Sequence, residues 1–209
     1  MTLRFSNSAA TAADSSKSGL SGRLLISLPG LVDPPFDQAV VLVCTHDTEH
    51  AFGVIVNKPI DGVVAQDAVK NADFGPSVDG RSVPIFLGGP CDQGHGFVLH
   101  TDEYHHATTF VIAGNMGLTA NRDALEHLDE ARHALSHTKL IAGHAGWSAG
   151  QLDDELRRNL WLDLPASHDL IFETSAKDMW SAALAQIGLS PSNLAALASD
   201  GNAGTRPLS

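Results

Sequence analysis

KLIAGHAGWSAGQLDDEL, Lys139 to Leu156, contains the change of pattern on which the reading of the fold turns. It begins as a short apolar run suited to a buried strand and ends with Leu152 and Leu156, which join Leu160 on one face at helical spacing. Between the two lie Gly143, His144, Gly146, Trp147 and Gly150. The pattern predicts a strand over 138–143, a flexible strand-to-helix turn over 143–147, and a helix over about 148–159. Ser148 and Gln151 form S-x-x-Q, the spacing of a capping box in which the hydroxyl and the amide each satisfy a free backbone N–H. Asp153, Asp154 and Glu155 then suit the positive end of the helix, and Arg157 and Arg158 its negative end, with Asp153–Arg157 and Asp154–Arg158 as i,i+4 pairs. Helix chemistry thus accounts for the acids, which are not taken as catalysts. Trp147 is left either plugging the core or marking a contact surface.

Upstream, strands dominate. RLLISLP, QAVVLVCTH and AFGVIVNKP read as three strands, the first two joined by a stiff Asp33-Pro34-Pro35 connection and the third stopped at Pro59. A short helix is expected within Asp61–Ala72 and a loop over 73–82. VPIFLGGP reads as a strand ending in a glycine turn, and HGFVLHT and ATTFVIAG as a hairpin around DEYHH. From Asn121 the pattern turns helical, with Ala124, Leu125, Leu128, Ala131 and Leu135 on one face. Further on, DLIFET (Asp169–Thr174) reads as a late strand and Lys177–Ile187 as a helix ended by Gly188. Ser190-Pro191 then opens a last short helix. Strands early and helices late favour an α+β class: a mixed, mostly antiparallel sheet with helices packed on it. Residues 1–20, rich in Ser, Ala and Thr, are expected to be a disordered tail, 21–201 a single compact domain, and 202–209 a flexible end.

The 209 residues carry 13 Lys and Arg against 24 Asp and Glu, a net charge of −11, with no basic run. Phosphate neutralisation drives nucleic-acid affinity, so direct binding to DNA or RNA is not expected. Cys44 and Cys91 stand far apart, arguing against a disulfide scaffold, and no apolar run is long enough to cross a bilayer. A cytoplasmic protein without membrane contact is expected.

The series LLISLPGLVDPPFDQAVVLVCTH, GVIVNKP, FLGGP, GFVLHT and AGHAGWSAGQLDDEL resembles the AlgH/YqgE family of conserved bacterial proteins, from Arg23 to about Gly201. The resemblance implies a cytoplasmic α+β protein associated with transcriptional control, without an established enzymatic reaction. His144 stands where that family is expected to carry an aromatic such as tyrosine.

Three further candidate sites follow from the residues. His95, His100, His105 and His106 do not share one strand face and lack carboxylate support, so no metal is expected. Cys44 and His46, two apart on a strand, would share a face and make a reactive thiol; the alternative is a buried structural cysteine. Asn57-Lys58 and Gly88-Gly89, at two strand ends, would form a pocket where backbone N–H groups approach an anion, or else are plain turns. The surface near Asn57, Lys58, Gly88, Gly89, His100, His144 and Trp147 is therefore the expected contact site, without a cofactor. The favoured function is a regulatory or accessory protein acting through protein or small-ligand contacts, with any effect on transcription indirect. The alternative is an enzyme, hydrolase-like at His100 or His144 or thiol-dependent at Cys44.

Overall fold

Strand formation does not stop at the glycines of the GHAGW stretch. In the computed structural model, which describes residues 19–29, 31, 33–64, 84–102, 109–112, 115–120 and 137–194, one strand runs unbroken from Thr138 to Ser148. Among the described residues it is the ninth of ten: β1 (Arg23–Ser27), β2 (Val40–His46), β3 (His50–Ile55), β4 (Pro59–Val64), β5 (Pro84–Leu87), β6 (Cys91–Thr101), β7 (Thr109–Ile112), β8 (Met116–Thr119), β9 (Thr138–Ser148) and β10 (Trp161–Pro165). Helix α1 spans Gln151–Arg157, a π-helix Asp169–Glu173, and α2 Ala176–Gln186.

The strands hydrogen-bond in the order β10-β1-β2-β3-β9-β6-β8-β7, with β5 parallel to β9 and β4 beside β5. Every other pairing is antiparallel. Strand β9 is the hinge of the sheet. Its first half pairs β6 and β5, and its second half pairs β3 through Ala51↔Trp147 and Gly53↔Ala145. The far edge curls back: β7 approaches β2, and Phe110 of β7 stacks on Phe52 of β3 with ring centroids 6.4 Å apart. The protein is sheet-dominated, a curled half-barrel with a few helices, rather than an even mixture of the two elements.

Both faces of the central strands are covered, which is why β2 reads as a continuous valine-rich run. On one face Leu42, Val54, Phe97, Leu99, Leu118 and Ile141 pack with Met179, Trp180 and Leu184 of α2. The Trp180 indole donates to the Ser27 carbonyl at 3.0 Å, tying α2 to β1. On the other, Leu25, Val41, Val43, Ile55 and Ala145 pack with Trp147, Leu152 and Trp161 beneath α1.

Several sequence expectations change. Pro59 does not close a strand; it opens β4, a position where a missing N–H costs no ladder bond, so residues 61–64 of the expected helix are strand. The expected hairpin is split, because β8, the short MGLT segment, lies between β6 and β7. DLIFET is not a strand: Thr174 N–H donates to the Asp169 carbonyl at 3.0 Å, the i→i+5 bond of a π-helix. Helix α1 is capped by Gly150 in the left-handed region (φ 70°) and not by Ser148; the Gln151 amide oxygen still accepts from Ser148 N–H at 3.1 Å. Arg157 pairs with Asp154, one turn back, and not with Asp153. The helix read over Ala124–Leu135, the 73–82 loop and most of both tails lie outside the described residues, whereas Leu20 packs against the second core cluster. Helix α2 ends as read, at Gly188 with φ 75°.

Candidate functional site

Around Phe52 a cluster of rings from four strands lies beside two of the side chains that the described residues leave unpaired. Phe52 lies opposite Thr45 on β2, and its ring meets His144 of β9 at 4.9 Å, Phe97 of β6 at 5.8 Å and Phe110 of β7 at 6.4 Å. Three buried side-chain atoms among the described residues lack a hydrogen-bond partner, and two of them, Thr45 Oγ1 and His144 Nδ1, belong to residues flanking Phe52. Such orphans cost free energy in a folded chain, which makes the neighbouring pair at Thr45 and His144 a candidate contact point. Burial holds the His144 pKa below its ordinary value; Asp92 opposes that shift and His95 adds to it. The imidazole is therefore neutral near pH 7, with one nitrogen a donor and the other an acceptor. Asp92 and His95, paired at 2.9 Å, stand on the exposed stretch of β6 beside it.

Two backbone irregularities bring these side chains together. The register of β2 against β3 shifts between Val43 and Thr45, a bulge that inverts which side chains face which layer. Gly143 adopts φ 75° within β9. Below it Ile141 belongs to the α2-side core, and above it Ala145 and Trp147 belong to the α1-side core, although all three are odd-numbered. A strand without that kink would keep them on one face. The kink sends Trp147 under α1 and leaves His144 against Phe52.

The residues expected at the contact site meet only in part. Asn57 and Lys58 do adjoin Gly88 and Gly89: Leu87 N–H donates to the Lys58 carbonyl and Ile55 N–H to the Gly88 carbonyl, both at 2.8 Å. Yet Gly88 N–H already donates to Ala142 at 2.7 Å, so it is not a free anion ligand. A side chain on Gly88 would collide with the Gly143 carbonyl and one on Gly89 with His144, so these glycines serve close approach to β9. Asn57 is buried and bridges the start of β2, accepting from Val40 N–H at 2.8 Å and donating to the Gln38 carbonyl at 2.9 Å.

His100 lies away from that surface, buried between strands. Its Nδ1 is 2.6 Å from the Thr101 carbonyl, which can only accept, so Nδ1 carries a proton, and its Nε2 lies 2.8 Å from the Thr119 hydroxyl. Trp147 is core and not display. Its indole and that of Trp161 both donate to Glu155 Oε2, at 2.9 and 2.7 Å, while Gln151 donates to Oε1 at 2.9 Å. The reactive-thiol reading fails on the same bulge: Cys44 packs with Leu42, whereas His46 stands opposite Ala51 on the other layer and faces Asp153 at 3.5 Å. Burial pushes the Cys44 thiol well above its usual range, the opposite of activation. His105 and His106 lie outside the described residues.

Architecture and site together define a sheet-dominated domain class with a polar-aromatic cluster at the kink of its central strand. The AlgH-like family model matches residues 24–192, and the chain belongs to that family. It is 37% identical over 180 residues to a UPF0301 protein of Caulobacter vibrioides, covering 86% of this chain and 92% of that one. It is 36% identical over 172 residues to one of Rhodospirillum rubrum, covering 82% and 89%. The solution structure of the AlgH protein from Pseudomonas aeruginosa superposes with a TM-score of 0.71 at 26% identity, over 96% of this chain and all, 100%, of the other. A Corynebacterium diphtheriae crystal structure shares the fold, with a TM-score of 0.62 at 21% identity, over 80% and 87%. No helix among the described residues is long and apolar enough to cross a membrane.

Proposed function

We propose that the protein is a cytoplasmic regulatory or accessory protein that works by binding, and that the Phe52 recess, bordered by His144 and the adjoining Gly88-Gly89 turn, is where it binds. The observation that carries this reading is the pair of unpartnered polar atoms, Thr45 Oγ1 and His144 Nδ1, among three phenylalanine rings. An apolar wall with a few convergent polar groups is the ordinary make-up of a small-ligand or side-chain pocket. The fitting occupant is an apolar or aromatic group carrying one hydrogen-bonding atom, from a metabolite or a partner's side chain. Any influence on transcription runs through another protein, since a chain of net charge −11 is poorly suited to holding phosphates.

Immobilised wild-type protein and the His144→Ala variant, exposed side by side to a bacterial lysate and a metabolite extract, test the reading. A protein or small molecule retained by the wild type and released from the variant is the expected result. Equal retention by both, or no retention by either, removes the recess as the contact site.

A further inference from the structure

Outside the recess, a second group of side chains assembles from two distant segments. His137 sits immediately before β9, and His168 and Glu173 bracket the π-helix. One donor atom from each lies within 4.8 Å of the others. His137 Nε2 and Glu173 Oε1 are already 3.1 Å apart, and the two imidazoles meet edge to face at 4.4 Å. His168 Nδ1 faces the Asp169 carboxylate at 3.5 Å, the outer-shell carboxylate–histidine relation that fixes ring orientation at metal sites.

The π-helix is what makes the group possible. His168 and Glu173 are five residues apart, which in an α-helix of 3.6 residues per turn would set them about 140° apart around the axis. The wider turn, closed by the 3.0 Å bond from Thr174 N–H to the Asp169 carbonyl, carries Glu173 back over His168. Short π segments are a costly local geometry that recurs at functional sites, and here the departure from α-helix is what brings the two donors together.

We propose that His137, His168 and Glu173 form a binding site for a divalent first-row transition ion of the zinc class. Two imidazoles and one carboxylate suit such an ion, whereas magnesium and calcium favour all-oxygen shells. Metal–ligand distances of about 2.0–2.2 Å require donors about 3.4 Å apart in a tetrahedral site, closer than some of them now stand. Side-chain rotation supplies that closure, because the three side chains are 38%, 38% and 58% exposed. Three protein ligands leave a fourth position for water or for a ligand from a partner. The ion would fasten the start of β9 to the π-helix across 36 residues of chain.

The test uses the full chain, freed of metal by a chelator and titrated with Zn²⁺ by calorimetry and with Co²⁺ by visible absorption. One tight equivalent of Zn²⁺ is expected, with Co²⁺ d–d bands typical of low coordination number. His137→Ala and His168→Ala should each weaken Zn²⁺ binding by at least about tenfold, the scale on which even outer-shell changes act. Glu173→Gln should weaken it in the same sense, and His95→Ala, in an exposed pair elsewhere, should not. Zn²⁺ should raise the melting temperature of the wild type but not of the His137→Ala, His168→Ala double variant. Binding that survives that double variant, or is lost equally in His95→Ala, would show scattered histidine binding and overturn the site. Absence of a one-equivalent Zn²⁺ isotherm in the wild type would reduce the group to an aromatic contact with an ion pair.

Discussion

Glu155 and His144 stand on either side of Trp147 and show two opposite ways of treating a polar side chain. The Glu155 carboxylate accepts from two indoles and one amide. The His144 imidazole keeps a buried nitrogen with no partner among the described residues. The first arrangement welds α1 to β9 and β10, closing the layer over Leu25, Val41 and Ile55. The second lies on the opposite layer, against Phe52 and Phe97, where no helix closes it among the described residues. Saturated polar groups tie α1 into this fold; of the three unsatisfied buried atoms among the described residues, Thr45 Oγ1 and His144 Nδ1 lie beside Phe52, and His46 Nδ1 lies on the other layer.

The contrast breaks most readily at the tryptophan. Trp147→Ala removes a large buried ring and should cost about 3–5 kcal/mol in urea unfolding, the usual toll of an aromatic cavity. Glu155→Ala leaves two indole N–H groups without their charged acceptor and should cost about 2–3 kcal/mol. Because both act through one contact, the double variant should lose clearly less than the sum of the two. Additive losses would mean that the clamp is not the bond that matters.

Lys139 sharpens the comparison from the other direction, as a buried charge in a cation–π contact, its Nζ 4.1 Å from the Phe86 ring centre. Burial lowers its pKa to about 8, while the unfolded chain keeps that proton to about pH 10.4. Between those values the unfolded state binds more protons, so this group makes stability rise with pH through the window; below it the penalty is fully present. Lys139→Met should stabilise the protein at pH 7 by about 1–3 kcal/mol and flatten that rise. Equal pH profiles for variant and wild type would contradict the assignment. Cys44 works with the opposite sign. Its raised pKa means that stability falls as pH climbs past the ordinary thiol value of about 8.5. Native Cys44 should react with a thiol probe far more slowly than glutathione at neutral pH, at a rate that follows unfolding; fast labelling of the folded protein would sink this reading.

The strands that run as plain apolar segments, β1, β2, β3 and β5, are legible in the sequence, because burial on both faces leaves an unmistakable run. So is α2, with its terminal Gly188. What is not legible depends on single residues read as punctuation. Gly143 and Gly146 look like a turn, and only the pairing partners on β3 and β6 reveal a strand with a phase-inverting kink. Pro59 looks like a stop and is a start. MGLT and WLDLP are too short to announce themselves, and DLIFET alternates like a strand while forming a π-helix. His144 was visible as a candidate; Thr45, Phe52, Phe97 and Phe110 were not, since they come from separate strands brought together by the bulge and the curl.

The smallest predicted effect tests the central claim most directly: the urea midpoint of His144→Phe. If His144 is a contact residue whose buried nitrogen nothing in the fold satisfies, replacing it by an apolar ring should leave stability within about 1 kcal/mol of wild type or raise it. A loss approaching that of Trp147→Ala would show that His144 is architecture as well, and that the recess is not a site held in reserve for a partner.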